Sequence, residues 1–418
     1  RVHTARLLRI VVAGSAAALV LAACSSSSSS DSSAAAPESA AAASSAPAES
    51  SAPAEEAAAE VPGGPAYAGP VGAGEGQVNI LAWPGYVEDG SNDPTVDWVT
   101  PFEEQTGCQV TSKSYGTSDE AFSLMKTGDY DVVAASGDAS LRLVAAGDVA
   151  PVNTDLLKNY DGIFDFLKMQ SWNSVDGVSY GIPHGYGANL LMYNTDVFPD
   201  GLTSWSAVFD DASANAGKVT AYDSPIYIAD AAVYLMATQP DLGITNPYAL
   251  DETQLAAAVD LLKAQRANIG EYWSDYLKAI QAFETGDSVV GTTWQVIQNY
   301  VTTGNTAVVL PDEGTTGWSD TWMISSTAKS PNCAYAWLDY IASPEANAQA
   351  TAYFGEAPSS LAACDFRDDC EAFHAGDADY ASKIWYWSTP IAKCLDGRTD
   401  VQCTDYSQWT TAWSEIKG

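Results

Sequence analysis

Two α/β lobes facing one another across a cleft are what this sequence predicts, on three observations. Between residues 77 and 135 the hydrophobic pattern runs strand, helix, strand, helix, strand, and a second run of this kind opens near residue 218; that rhythm implies parallel sheets with helices on their faces. The stretch 77–418 is too long for one compact core and suits two. Aromatic and acidic residues recur at strand ends, and open α/β sheets bind ligands at the carboxyl ends of their strands.

Each element has its own signal. "GQVNILAW" alternates and then stays apolar, which reads as a strand. "VDWVTPFEEQTG" sets Trp98 and Phe102 four apart, a helical spacing, and stops at Gly107. "CQVTSKSY" reads as a strand, "DEAFSLMKTG" as a short helix and "YDVVAAS" as a buried strand. In the second region "GKVTAYD" is a strand and "PIYIADAAVYLMATQP" a helix. "DETQLAAAVDLLKAQRANIG" opens with a capping box, Asp251 with Gln254, stapled by Leu250 and Leu255. "DSVVGTTW" and "DTWMIS" are further strands; "NCAYAWLDYIAS" and "SPEANAQATAYFG" are helices, the second with Pro344 in its first turn.

Ahead of this body lie two segments of another kind. Arg1, Arg6 and Arg9 precede an apolar run that ends in "LAAC". A basic start and a short apolar stretch form a secretory signal, too short to span a bilayer, which takes roughly 20 apolar residues. "LAAC" has the form of a bacterial lipobox, so residues 1–23 are expected to be removed and Cys24 to carry lipid. Residues 24–76 are expected to be a disordered tether, because the Ser/Ala/Pro/Glu stretch at 25–60 offers too little apolar surface to offset ordering entropy. About 50 residues of such chain reach roughly 40 Å. The body is therefore expected outside the cell, anchored to the outer face of the cytoplasmic membrane.

Composition narrows the partners. The chain has 18 basic and 53 acidic residues, a formal charge of −35. Losing the signal takes away three arginines and no acids, so the charge falls to −38. A surface this acidic does not suit nucleic acid and favours cations. Six cysteines follow Cys24: Cys108, Cys333, Cys364, Cys370, Cys394 and Cys403. An even number in an exported chain points to disulfides. Cys364/Cys370 and Cys394/Cys403 would close short local loops and leave Cys108 with Cys333, although six cysteines permit 15 connectivities. With no C-x-x-C and three histidines, one of them in the signal, no metal or cofactor is expected.

The candidate site residues stand at strand ends. Trp83 and Tyr86 follow the first strand, Ser136 and Asp138 end "VVAAS", and Tyr222 and Asp223 end "KVTAYD". Trp294 ends "SVVGTTW", Trp318 and Asp320 precede "TWMIS", and Trp273 lies in "EYWSDY". A single tryptophan is ordinarily a core residue; this many indoles beside carboxylates describe a lined cleft.

Seven stretches in order resemble the spermidine/putrescine-binding branch of bacterial ABC-transporter solute-binding proteins: "ILAWPGYVEDG", "FEEQTGCQV", "YDVVAASGDASLRL", "NLLMYNTDVFP", "AYDSPIYIADAA", "GTTGWSDT" and "NCAYAWLDYIASPEA". The resemblance covers nearly all of 77–418. It implies a two-lobe type II periplasmic-binding-protein fold with a hinge and an inter-lobe ligand cleft, its first lobe from 77–183 and 295–340 and its second from 184–294 and 341–418. It also implies a monomer that hands a polyamine to permease subunits, with rings sandwiching the methylene chain and carboxylates holding the ammonium ends. The positions matching that pattern are Trp83, Tyr86, Ser136, Asp223, Trp273, Trp294 and Asp320, with Trp318 beside Asp320. The chain departs from the pattern where Asp138 replaces an aromatic residue and Ile226 replaces an acid, so Asp138 or Glu356 is expected to meet the second ammonium. Rival readings are a binder of a GABA-like amino acid or a sugar, or a glycoside hydrolase built on two carboxylates. No G-x-S-x-G, P-loop or H-E-x-x-H is present, no matched position carries an arginine for an amino acid's carboxylate, and no enzyme activity is expected. His184, in "GIPHGYG" at the expected lobe crossing, reads as structural or site-lining.

Overall fold

The computed structural model describes residues 61–418; the signal, Cys24 and the tether to residue 60 lie outside them. Three sheets organise the body. In the first, Gln77–Ala82 pairs in parallel with Gln109–Ser114 on one side and Val132–Ala135 on the other. The sheet continues through the antiparallel strand Thr321–Ser325 to Val149–Ala150, with Ile182–Pro183 also on Thr321–Ser325. In the second, Val219–Tyr222 lies parallel to both Ile269–Trp273 and Val290–Thr293, and Leu190–Asn194 runs antiparallel between Val290–Thr293 and Thr306–Val309. Each sheet buries its own core: Val78, Ile80, Phe102, Trp322 and Trp337 in one, Ala221, Ala231, Leu262 and Trp409 in the other. That separation is what a chain too long for one core requires.

The third sheet, ordered Ala357–Pro358, Gly185–Ala188, Thr315–Trp318, Ile384–Tyr386, is where the chain changes lobe. One passage runs from Ile182–Pro183 through Gly185–Ala188 into Leu190–Asn194; the other returns from Thr306–Val309 through Thr315–Trp318 into Thr321–Ser325. The two run antiparallel, Gly317 opposite Ala188 and Trp318 opposite Gly187. A side chain at Gly187 would put its Cβ 2.2 Å from the Trp318 ring, so glycine there makes the space the indole fills. Local signals in the sequence account for the helices. Asp251 and Gln254 form the capping box of Glu252–Arg266, and Pro344 opens Pro344–Phe354.

Two segments sit differently from expectation. The tether was expected to continue to residue 76, but residues 61–76 are fastened to the first lobe. The Tyr180 hydroxyl donates to the Pro62 carbonyl at 3.1 Å, and Asn332 Oδ1 accepts from Gly72 N at 2.7 Å and from the Tyr67 hydroxyl at 3.2 Å. Glu75 accepts from the backbone N–H groups of Asn332 and Cys333, both at 3.0 Å, satisfying donors that open the helix Pro331–Ile341. Composition cannot reveal such a tie, because its partners lie 118 to 265 residues away. The return to the first lobe, expected at residue 295, comes later: Thr306–Val309 still pairs in the second sheet, while Ala346 and Ala350 of the helix Pro344–Phe354 are buried, with Ala350 in the first lobe's core. Three disulfides join Cys108 to Cys333, Cys364 to Cys370 and Cys394 to Cys403. Among the described residues no helix is long and apolar enough to cross a membrane.

Candidate functional site

The strand ends and the lobe crossing bring most of the expected residues together. Val132–Ala135 is a fully buried apolar strand that ends at Ser136, after which the helix Gly137–Ala146 begins. Gly137 is packed so tightly that a Cβ would lie 1.6 Å from the Trp387 carbonyl oxygen, and this draws the helix start against the 384–389 segment. Ser136 accepts the indole N–H of Trp83 at 3.0 Å, and the Trp83 ring rests on Tyr115 with centroids 4.6 Å apart. Across from them Asp320, on the return crossing, accepts the Tyr86 hydroxyl at 2.8 Å through Oδ2, while its Oδ1 is buried without a hydrogen-bond partner. The Asp320 side chain is 3 % exposed. Burial pushes its carboxyl up to about 6, opposed by the hydroxyls of Ser136 and Tyr86 and helped by the nearby charge of Asp138.

Asp138 is equally buried. It accepts the Ser118 hydroxyl at 2.8 Å and faces the Tyr406 hydroxyl at 3.5 Å, and burial raises its carboxyl to about 6. Tyr406 belongs to the C-terminal helix Tyr406–Lys417, whose buried Trp409, Trp413 and Ile416 pack in the second core, so this contact spans the two lobes.

A box of rings adjoins these acids. Tyr222 and Trp387 stack at 5.7 Å with planes 9° apart; Trp294 lies 5.6 Å from Tyr222 and 5.3 Å from Trp318, and Trp318 lies 6.2 Å from Trp387. Asn189 accepts the Trp294 indole N–H at 2.9 Å. Trp273 stands behind this wall, fully buried, with its N–H donated to the Thr292 carbonyl at 3.2 Å and its ring edge-on to Trp294 at 4.9 Å. Its place is to back the box. Outside the box, beside Trp318 and Glu356, a small cavity of about 20 Å³ lies among Tyr186, Leu190 and Phe373. A larger cavity of about 320 Å³ lies on the other side of the 384–388 segment, between Trp172, Tyr248 and Tyr386. No ionisable acid or base other than tyrosine lines it, whereas the carboxylates and the indole box converge elsewhere.

Of two further expected ligand carboxylates, Asp223 is fully occupied and Glu356 on one oxygen only. Asp223 accepts Lys417 Nζ on both oxygens, at 2.7 and 2.6 Å, and the Trp413 indole N–H at 3.1 Å. Glu356 accepts the Trp318 indole N–H at 2.6 Å, and its other oxygen lies 3.6 Å from His184 Nε2. His184 Nδ1 accepts the Trp322 indole N–H at 2.9 Å, so the ring is the neutral tautomer with its proton on Nε2, aimed at Glu356. Burial drives His184 down to about 3, which leaves it neutral, and raises Glu356 well above the usual carboxylate range. His184 also stacks on Tyr86 at 4.1 Å, so it orients the residues that flank Asp320.

Trp387 was not foreseen from the sequence. Its ring completes the box and its buried N–H has no hydrogen-bond partner; the signal was the aromatic run "WYWSTP", which follows no α/β strand pattern. Lys417 was missed because an ordinary lysine in the last turn of a helix reads as a dipole-matched surface charge.

The family model of bacterial extracellular solute-binding proteins matches residues 97–373. A spermidine/putrescine-binding periplasmic protein of Haemophilus influenzae is 24% identical over 296 residues, covering 68% of this chain and 76% of that protein. A putrescine/cadaverine-binding protein of Pseudomonas aeruginosa is 24% identical over 305 residues, covering 69% of this chain and 80% of that protein. Among solved structures, a putative spermidine/putrescine ABC transporter from Listeria monocytogenes superposes with a TM-score of 0.65 at 20% identity, over 82% of this chain and 99% of that one. The structural likeness establishes the two-lobe periplasmic-binding-protein fold.

Proposed function

We propose that this chain, which belongs to the bacterial extracellular solute-binding protein family, captures an organic amine, the class to which polyamines belong, between its lobes and delivers it to an ABC importer. The observation that carries the reading is Asp320: a buried carboxylate with an unpartnered oxygen, beside a box of indole and phenol rings. A buried anion left unsatisfied costs free energy that an incoming ammonium recovers. Ring faces add roughly 0.5–2 kcal/mol per cation and bind the methylene chain between charges. A charge-assisted hydrogen bond contributes about 1.5–3 kcal/mol more. These contributions, with burial of the methylene chain, work against the cost of association.

Each residue then has a role. Asp320 receives the ammonium, with Asp138 adding negative potential. Trp83, Tyr86 and Ser136 shape that end, Trp294, Trp318, Tyr222 and Trp387 enclose the chain, and Glu356 with His184 fixes Trp318 and Tyr86. The rings of the box stand with centroids 5.3 to 6.2 Å apart, so an alkyl chain enters between them only if the crossing strands flex and close again on it. A family that binds and releases solutes unchanged calls for no reacting group, and neutral His184, held by Trp322 beside Glu356, suits a positioning role. The lipobox Cys24 would hold the protein at the outer membrane face as a monomer beside the permease.

Calorimetric titration of the exported protein with putrescine, cadaverine, spermidine, 4-aminobutyrate and neutral sugars tests the reading. Micromolar binding confined to the amines supports it. Binding of neutral sugars with none of the amines overturns the cation assignment.

A further inference from the structure

We infer that the site offers charge to one end of its ligand only, so that the preferred solute is an alkylamine with an uncharged far end rather than a diamine. This rests on the amine reading above and names the ligand class within it.

The argument is a census of the carboxylates that could face a second ammonium. Asp320 and Asp138 belong to one pole: both stand beside the end of Val132–Ala135, and each feels the other's charge. The opposite pole is the carboxyl end of Val219–Tyr222, where the acid is Asp223. Both its oxygens are taken by Lys417 Nζ, with Trp413 adding a third hydrogen bond to Oδ1.

The lysine side chain is part-exposed, but its helix holds it in place. It sits in the last turn of Tyr406–Lys417, a helix started by a capping box at Asp405 and Gln408 and pinned by fully buried Trp409 and Ile416. Its Nζ also lies 5.8 Å from the centroid of the Tyr272 ring. Three residues on from Asp223 is Ile226, apolar and buried. Glu356 accepts the Trp318 indole N–H through one oxygen and keeps the other free of a hydrogen bond, but it stands beside Asp320 and Tyr86, whose charge and hydroxyl it feels, and so adds to the first pole rather than to this one. Asp230, the remaining buried acid of that lobe, accepts the Thr316 hydroxyl at 3.0 Å, and burial holds it protonated with its carboxyl near 8. A second ammonium reaching this pole meets a cation already seated on its carboxylate, and like charges brought together oppose binding. A hydroxyl or amide at the far end meets no such penalty.

Removing the mask tests this. The full exported chain and its Lys417→Gln variant are titrated with three ligands of equal length: 5-amino-1-pentanol, cadaverine and 5-aminovalerate. In the wild type 5-amino-1-pentanol should bind about 5-fold or more tighter than cadaverine. In Lys417→Gln, cadaverine should gain about 10-fold, the scale of one added charged contact, while 5-amino-1-pentanol stays within about 2-fold. Asp223→Asn in the Lys417→Gln background should abolish that gain, which excludes a general loosening of the helix. Cadaverine binding the wild type as tightly as 5-amino-1-pentanol, or failing to gain in the variant, overturns the inference and leaves the amine reading standing. 5-Aminovalerate as the tightest ligand overturns it too, since the far pole would then act as a cation. Failure of all three ligands in both proteins brings down the amine reading, and this inference with it.

Discussion

Asp320→Asn should make the empty protein more stable while removing its affinity for amines. The Asp320 carboxyl is raised from 3.8 to about 6, chiefly by burial. Between those values the folded chain binds more protons at this residue than the unfolded chain does, so stability falls as pH rises through that window. The full cost is present above about pH 6 and absent below about pH 4. Roughly two pKa units at 1.36 kcal/mol each is a penalty of about 3 kcal/mol at neutral pH. An amide of the same shape carries no charge to desolvate, and its oxygen can still accept the Tyr86 hydroxyl, now at 2.8 Å. The gain should therefore be about 1–3 kcal/mol, less than the whole penalty because the amide must also place its N–H groups. Urea unfolding at pH 7.5 reads the stability, and calorimetric titration with 5-amino-1-pentanol reads the affinity, which should fall about 10–100-fold. A variant less stable than wild type that binds amines unchanged would show that Asp320 is neither strained nor the ammonium acceptor.

Three further outcomes follow from the same geometry. Amine affinity should drop about 10-fold between pH 7.5 and pH 5, because Asp320 titrates near 6 and the ligand needs it ionised; a flat profile over that range by calorimetry would contradict the assignment. Replacing Cys108 and Cys333 with serine removes a cross-link closing a separation of 225 residues. It should cost about 2–5 kcal/mol by urea unfolding, and a loss under 1 kcal/mol would mean that the 61–76 strap and the first sheet already restrain both ends. Cys24→Ala, outside the described residues, should release the protein into the soluble exported fraction on membrane fractionation; a variant retained on membranes would disprove the lipobox reading.

Much of this molecule was legible in one dimension. The βαβαβ rhythm, the Asp251–Gln254 capping box, Pro344 at a helix start and the all-apolar Val132–Ala135 strand are local signals, set by periodicity and by hydrogen bonds a few residues long. Trp83, Tyr86, Ser136 and Asp320 could be placed at the site because strands of an α/β sheet deliver their carboxyl ends to one edge. What residue identity could not tell was which carboxylates remain free. Asp223 and Asp320 look alike in the sequence, each an acid beside an aromatic strand end. Folding sends Lys417 to one across 194 positions and leaves the other with an empty oxygen. Glu356 likewise passes from ligand candidate to support because Trp318 and His184 arrive from separate crossings. The charge a side chain presents depends on its burial and on the groups that reach it. Both are long-range properties of the packed chain, and here they decide which of two like carboxylates is already paired.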